Sequence, residues 1–270
     1  MIAILCATPW EMKRVLRVLA GGRETEAPGG MSAWRGKGGA RDVVALCVGV
    51  GKVAAAAGAM FLLERHRPEE FLVFGTAGAL RDDVRLGDLV IAEEVIPADT
   101  GIAHSGGFHS TGPGVSAEGR LVFHPSFAAS AEMLRGALAA ASYASLPHRV
   151  GKVLTCDQVV LDPGLRLHLG NAFDALAVEM EGAAVAQVAE GAGVPFLAVR
   201  GISDELSHDF AGLERALEYR GQGRRNLWKE RMRLSVEDPS VMDRARALAK
   251  GRDLALDALE SFLSAYLGRR

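Results

Sequence analysis

The chain has 270 residues, 49% of them apolar, and a formal net charge of −2 at pH 7. That length suits one large α/β domain better than two independent ones, and the near-neutral balance gives no global pull toward nucleic acid or a membrane surface. No apolar run reaches the ~20 residues a membrane-spanning helix needs.

The first stretch, "MIAILCAT", enters directly as a strand without the basic n-region or cleavage site of a signal peptide. Strand 2–7 is followed by a helix from Glu11 to about Ala20. A strand over 43–49 leads into a helix from Gly51 to His66, and strands follow at 70–79 and 87–95. Helix 126–141, strand 149–157, helix 164–170, strand 175–180, helix 181–191 and strand 194–204 continue the alternation. Near-continuous apolar strands separated by helices predict a three-layer α/β/α fold around a central mixed, largely parallel twisted sheet. Residues 99–114, rich in glycine and turn formers, read as a long loop and a lid. The arginine-dense "YRGQGRRNLWKERMR" (219–233) interrupts the pattern before a final amphipathic helix at about 240–267. Cys6, Cys47 and Cys156 lie in apolar runs without metal-ligand spacing, which predicts free thiols in a reducing cytoplasm. His104, His109 and His124 also lack metal-ligand spacing, so no metal is expected.

In sheets of this kind ligands collect outside the carboxyl ends of the strands, which directs attention to Glu11, Val50, Thr76, Glu179 to Glu181, and Asp204. In "AVEMEG" (177–182) two carboxylates flank Met180 at the end of a buried strand, and burying ionised carboxylates is costly unless something pairs with them. "FGTAGAL" (74–80) reads as a glycine-rich turn holding Thr76. Such a turn either presents backbone N–H groups to an anionic or polyhydroxy ligand or simply reverses the chain. In "VGVGK" (48–52) the glycines permit a close backbone approach, and Lys52 reads as a solvated cation at a helix start. In "VRGISDE" (199–205) a strand ends in Arg200, Ser203 and Asp204. Asp204 there either holds a proton in a cleft or caps a helix, and both readings stand.

"GVGKVAAAAGAMFLLE", "GTAGAL" followed by "VRLGDLVIAEEV", "GKVLTCD", "AVEMEGAAVA" and "VPFLAVRGISD" occur in that order over residues 1 to about 210. Together they resemble the nucleoside phosphorylase and nucleosidase superfamily, most closely the methylthioadenosine/S-adenosylhomocysteine nucleosidases. The resemblance implies a single nucleoside phosphorylase-like domain over 1–270, with an arginine-rich insertion at about 211–239. It also implies a homodimer, and hydrolysis of the N-glycosidic bond of a 5′-modified purine riboside without a cofactor. Carried over residue by residue, Asp204 protonates purine N7, Glu11 is the base for the attacking water, and Arg200 helps hold that water. Glu181 accepts hydrogen bonds from the ribose 2′- and 3′-hydroxyls, Met180 packs against the sugar, and Glu179 is a wall or dimer residue. Thr76 stands for the family's serine, Val50 lies near the sugar, and Ser203 adjoins the acid. The backbone around Gln158, Val159 and Val160 contacts the purine, with Val159 where the family has an aromatic. Phe210 closes over the 5′-substituent.

Phosphorylases of the superfamily place an arginine three residues before the hydroxyl of the "GTAGA"-like turn and another in an N-terminal loop. Here Val73 and "ATPWEM" stand in those places, and a phosphate dianion without arginine partners binds poorly. Water is therefore the expected nucleophile, and a phosphate-dependent purine nucleoside phosphorylase is an alternative. Futalosine hydrolase of menaquinone biosynthesis, with similar "ATPxE" and "MEGAAVA" stretches, is another. A non-catalytic nucleoside- or RNA-binding scaffold would use Arg220, Arg224, Arg225, Lys229, Arg231 and Arg233. A charge run is usually a solvated face, Glu230 interrupts this one, and a pure binder needs neither Glu11 nor Asp204.

Overall fold

The structure is a computed structural model that describes residues 1–117, 119–213 and 240–268. The six basic residues of the scaffold alternative lie outside the described residues, as does all of the 211–239 segment beyond residue 213.

The chain begins as β1 (Ile2–Cys6), buried along its whole length and flanked by parallel neighbours β4 (Arg41–Cys47) and β5 (Glu70–Ala79). Burial on both faces is why these strands read as unbroken apolar runs. Between β1 and β4 lie α1 (Pro9–Val18) and a hairpin of β2 (Ala20–Thr25) and β3 (Ser32–Gly38). This hairpin was not expected. β2 is an edge strand of small and polar residues, and it has no buried face to produce alternation. α2 (Lys52–His66) connects β4 to β5, and β6 (Leu89–Pro97) follows.

Residues 99–114, expected as an irregular loop, instead hold β7 (Gly101–His104) and β8 (Gly107–Ser110), paired antiparallel across a two-residue connection at Ser105 and Gly106. The tight turn is the missed signal: Gly107 has φ +132°, a conformation that side chains resist. A second hairpin, β9 (Gly114–Ala117) and β10 (Arg120–Phe123), leads to the short β11 (Phe127–Ala128). That strand adds to the edge of β6, so the helix expected from 126 starts only as α3 (Ala131–Tyr143), where the Ser130 hydroxyl accepts from the Met133 N–H. β12 (His148–Thr155), α4 (Pro163–Phe173), β13 (Ala175–Glu179), α5 (Gly182–Ala192) and β14 (Phe196–Asp204) complete the order up to α6 (Ser240–Gly268). Among the described residues no helix is long and apolar enough to cross a membrane.

The ten-stranded sheet is mixed. β1–β4, β1–β5, β5–β14, β6–β12 and β12–β13 are parallel, while β2–β3, β3–β4, β5–β13, β6–β14 and β6–β11 are antiparallel. The pairings β5–β14–β6–β12–β13–β5 close on themselves, so one end of the sheet is a small distorted barrel. Closure leaves those strands no open edge.

One face of the sheet is covered by α1, α3 and α6, with Met12, Val15, Ala137, Leu259 and Phe262 packed on Ile2, Ile4 and Leu72. The other face is covered by α2 and α5, through Ala55, Ala59, Leu62, Val185 and Ala189 against Leu5, Val44 and Phe71. Small residues let helices approach closely. In α6 a Cβ at Gly251 would fall on the backbone oxygen of Ser203, and a Cβ at Gly201 would stand 2.8 Å from the Ala255 oxygen. α6 therefore lies directly on β14, beside the residues that end that strand.

Gly251 sets two effects against each other. Alanine gains about 1 kcal/mol of helix propensity over glycine, whereas overpacking costs about 1–3 kcal/mol and here the obstruction is backbone. Gly251→Ala is expected to lower the melting temperature by a few degrees, at roughly 2–4 °C per kcal/mol for a chain of this size. Thermal unfolding measures it, and an unchanged or raised midpoint would mean that α6 is not seated on β14 this way.

Candidate active site

The second half of β5 is the floor of the site. The strand expected over 70–79 runs that whole length, so the Thr76 segment is strand and not the turn that "FGTAGAL" also suggested. Its glycines make room for charge. A Cβ at Gly75 would stand 2.6 Å from Arg200 Nη1 and 2.7 Å from Glu11 Oε1. One at Gly78 would overlap Arg166 Nη2 and stand 2.6 Å from Asp204 Oδ2. Only hydrogen at these two positions lets a strand run beneath two sets of buried charged side chains.

Glu11 owes its position to a capping box. The Thr8 hydroxyl accepts from the Glu11 N–H at 3.4 Å, and Glu11 Oε2 accepts from the N–H groups of Ala7 at 3.0 Å and Thr8 at 2.9 Å. Glu11 Oε1 accepts from the Thr76 N–H at 2.8 Å and from its hydroxyl at 3.3 Å. A carboxylate has about four acceptor directions, and Glu11 uses all of them. The longest contact, to the Thr76 hydroxyl, is the one a water or ligand exchanges at least cost.

"AVEMEG" divides its two acids. Glu179, at the end of β13, accepts from the N–H groups of Glu181 at 2.9 Å and Gly182 at 2.8 Å, from the Thr155 hydroxyl, and from Arg200 Nη2. Its charge thus sits on the N-terminus of α5, where backbone donors and the helix dipole favour an anion. Glu181 Oε1 accepts from the Gly51 N–H at 3.0 Å, and its Oε2 lies 3.5 Å from Arg200 Nη2. Burial pushes the Glu181 carboxyl up to about 8; the Arg200 charge and the Gly51 N–H oppose that shift, and Glu179 and Glu11 add to it.

Asp204 ends β14. Its Oδ1 accepts from the Ser203 hydroxyl at 2.7 Å, and its Oδ2 accepts from Arg166 Nη2. Turns rather than a helix follow it over 205–212, which removes the helix-cap reading. Arg166 projects from α4 and is 2% exposed.

These groups surround a cavity of about 530 Å³. Its wall includes Glu11, Val50, Thr76, Gln158, Val159, Val160, Glu179, Met180, Glu181, Ser203, Asp204 and Phe210. Arg200 is absent from that wall. It lies behind the carboxylates, 1% exposed, with Nη2 committed to Glu179 and Glu181, so it holds them rather than reaching into the cavity. Lys52 is not a solvated cation either: its Nζ pairs with Asp99 at 2.5 Å and faces Asp157 at 3.6 Å, tying the start of α2 to the ends of β6 and β12.

The sequence reading missed three parts of the wall. Arg166 sits in a helix whose local pattern names no carboxylate partner, because that partner is 38 residues away. Trp10 follows the first strand directly, where strand-end residues were sought, but it carries no titratable group. Val241, Ala245, Leu248 and Arg252 bring the first half of α6 over the cavity, and nothing in an amphipathic helix announces which surface it covers.

Comparison with known proteins finds relatives in sequence and in fold. A model of the phosphorylase superfamily matches residues 1–227. A 5′-methylthioadenosine/S-adenosylhomocysteine nucleosidase of Geobacillus thermodenitrificans is 37% identical over 164 residues, 60% of this chain and 66% of that protein's length. The crystal structure of such a nucleosidase from Neisseria meningitidis, in complex with methylthio-immucillin-A, superposes with a TM-score of 0.74 at 19% identity, covering 99% of this chain and 98% of that one. Futalosine hydrolase of Helicobacter pylori shares the fold at a TM-score of 0.69 and 23% identity, covering 97% and 96%.

The raised Glu181 carboxyl makes stability depend on pH. Between about 4.5 and about 8 the folded protein keeps a proton that the unfolded chain has released, so stability falls as pH rises through that window. Glu181→Gln removes this slope. Melting temperatures of both proteins from about pH 5 to about pH 9 are expected to diverge in favour of the variant as pH rises, and parallel curves would place Glu181 in an ordinary solvated environment.

Proposed function

The chain belongs to the phosphorylase superfamily, and from that premise we propose that it is a purine nucleosidase of the methylthioadenosine/S-adenosylhomocysteine type, hydrolysing the N-glycosidic bond of a 5′-modified purine riboside. The observation that carries this reading is the convergence of Glu11, Glu181 and Asp204 on one cavity. Glu181, deprotonated, is an acceptor-only group suited to two vicinal ribose hydroxyls, with Met180 against the sugar. Asp204 delivers a proton to N7, so the base leaves neutral with the electron pair of the C1′–N9 bond. Glu11 takes a proton from the water that attacks the oxocarbenium-like C1′. Arg200 is a positioning residue in this scheme and acts through Glu179 and Glu181.

Water is favoured over phosphate by the charge of the wall. The Glu11 and Thr76 side carries a carboxylate, Val73 is buried in the core, and Arg200 is taken up by two glutamates. A dianion there would meet repulsion from Glu11, with the Arg200 guanidinium already paired to two glutamates.

A homodimer and a cytoplasmic location belong to the same proposal. Val53, 83% exposed, and Met60 share one face of α2, and the β7–β10 hairpins expose Ile102, Phe108, Leu121 and Phe123, apolar side chains that a second copy could cover. The cysteines are free thiols. Light scattering at micromolar concentration is expected to give twice the chain mass, and a monomer would overturn the dimer.

The chemistry is tested in phosphate-free buffer, where purine release is expected to proceed and yield the free sugar rather than its 1-phosphate. In the same assay Asp204→Asn is expected to lose roughly 10²–10⁴-fold in kcat. A nitrophenyl riboside, whose leaving group needs no N7 proton, is expected to be affected far less. The control matters because Asn leaves Arg166 buried without its anion, at a cost of about 3–5 kcal/mol. A folding defect slows both substrates alike, whereas loss of the acid slows only the purine riboside. Turnover that requires phosphate would make the enzyme a phosphorylase.

A further inference from the structure

Two thiols meet at the carboxyl ends of β1 and β4. Cys6 and Cys47 stand opposite each other in the parallel register of those strands, on the sheet face that α1, α3 and α6 cover. Neighbouring strands lie about 4.7–4.9 Å apart, within the roughly 4.4–6.8 Å between Cα atoms that a disulfide spans. The two thiols are chemically unequal. Cys6 is buried, and burial holds its thiol well above the usual range, with the Cys47 hydrogen bond and the Glu11 charge adding to the rise. Cys47 is half-buried, and its hydrogen bond with Cys6 draws its thiol down against burial and the Glu11 charge. A thiol drawn toward thiolate beside a second, resolving thiol is the arrangement of a redox-responsive pair. Cys156 lies in a separate core cluster, and burial pushes its thiol up to about 12.

The pair sits behind the backbone that holds two of the site's carboxylates. The Cys47 thiol donates to the Ala7 carbonyl oxygen at 3.6 Å, and the Ala7 N–H donates to Glu11 Oε2 at 3.0 Å. The Gly49 N–H reaches the same Ala7 oxygen at 3.1 Å, and the Val48 N–H donates to the Cys6 oxygen at 2.9 Å. Two residues beyond Gly49, the Gly51 N–H donates to Glu181 Oε1 at 3.0 Å.

We propose that Cys6 and Cys47 form a reversible redox switch, closed by a hydroperoxide, that lowers turnover by displacing the backbone under Glu11 and Glu181. The effect on turnover rests on the nucleosidase reading above; the bond between the thiols does not. The Cys47 thiolate attacks one peroxide oxygen and the O–O bond breaks. Cys47 becomes a sulfenic acid, and the other oxygen leaves as hydroxide and takes up a proton to give water. The Cys6 sulfur then attacks Cys47 Sγ, the S–O bond breaks, and a second water leaves with the Cys6 proton. Two thiols are oxidised and one peroxide is reduced to two waters. The new bond draws the Cys47 sulfur off the Ala7 oxygen and pulls two strand ends together. Ala7 and the 48–51 segment then shift beneath both carboxylates. A dithiol reductant reverses the change by thiol–disulfide exchange.

The test treats the full-length reduced protein with hydrogen peroxide, alkylates the remaining thiols and maps the peptides without reduction. Purine release from 5′-methylthioadenosine is followed on the same samples. A peptide linking Cys6 to Cys47 is expected, with Cys156 alkylated. Turnover is expected to fall roughly 10- to 100-fold, the scale of a misplaced catalytic group, and to return with dithiothreitol. Cys47→Ser, which keeps a donor for the Ala7 oxygen, is expected to form no bridge and to be as active with peroxide as without it. Should that variant fail to fold, the wild-type map and the recovery decide alone. Cys6 and Cys47 both alkylated after peroxide, or a mapped bridge with turnover unchanged, overturns the inference. So does a loss that Cys47→Ser shares or that dithiothreitol leaves in place. A reduced protein that cleaves no riboside overturns the nucleosidase reading, and the peptide map then still decides whether the two thiols close.

Discussion

The ion pair between Glu179 and Arg200 is the contact on which the rest of the site depends. Both groups are nearly inaccessible, and a buried pair of this kind adds little over apolar residues, although losing one partner costs several kcal/mol. Its value here is positional. Glu179 collects the Thr155 hydroxyl of β12 and the first N–H groups of α5, and Arg200 anchors the same carboxylate from β14. Four elements are thereby fixed around one charge. Glu181, two residues on, has no freedom to point elsewhere than toward Gly51 and the cavity.

A second charged pair, Arg166 with Asp204, repeats the device a few residues along the same strand. Both pairs lie over β5, and both exact a glycine from it, Gly75 for the first and Gly78 for the second. The barrel-like closure of β5, β14, β6, β12 and β13 encloses that floor, so the charges are cut off from solvent and must satisfy one another. Low polarity around the carboxylates is also what raises Glu181, the group whose charge the sugar hydroxyls would need. Stability and chemistry draw on the same few side chains.

α6 supplies the roof. Its contact with β14 through Gly251 and Gly201 places Val241 to Arg252 above the cavity, while its second half buries Leu259, Phe262 and Leu263 in the core. A single helix thus links the packing of the main core to the shape of the ligand site. The roof of the cavity is therefore built by α6, beyond the span that the superfamily model matches.

Sequence alone determined the alternation of strands and helices, because strands buried on both faces and helices with small apolar residues leave a strong local signature. It also marked Glu11, Glu181 and Asp204, because each lies at or soon after a strand end, and Thr76, which lies within β5, through the motif it belongs to; all four line the cavity. Three things were decided only by the tertiary structure. The "FGTAGAL" glycines read as a turn, since hydrogen at Cα signals flexibility locally and reveals space for a charged side chain only when the partner strands are in place. The resemblance gave Arg200 a part in holding the attacking water, and nothing in "VRGISD" states that its guanidinium is paired with a glutamate 21 residues earlier. Arg166 went unread, because a buried cation is defined by its counter-ion, and Asp204 reaches it across 38 residues of chain. Hydrophobic period and strand ends are local quantities. The pairing of buried charges is not, and it exists only after the sheet has closed.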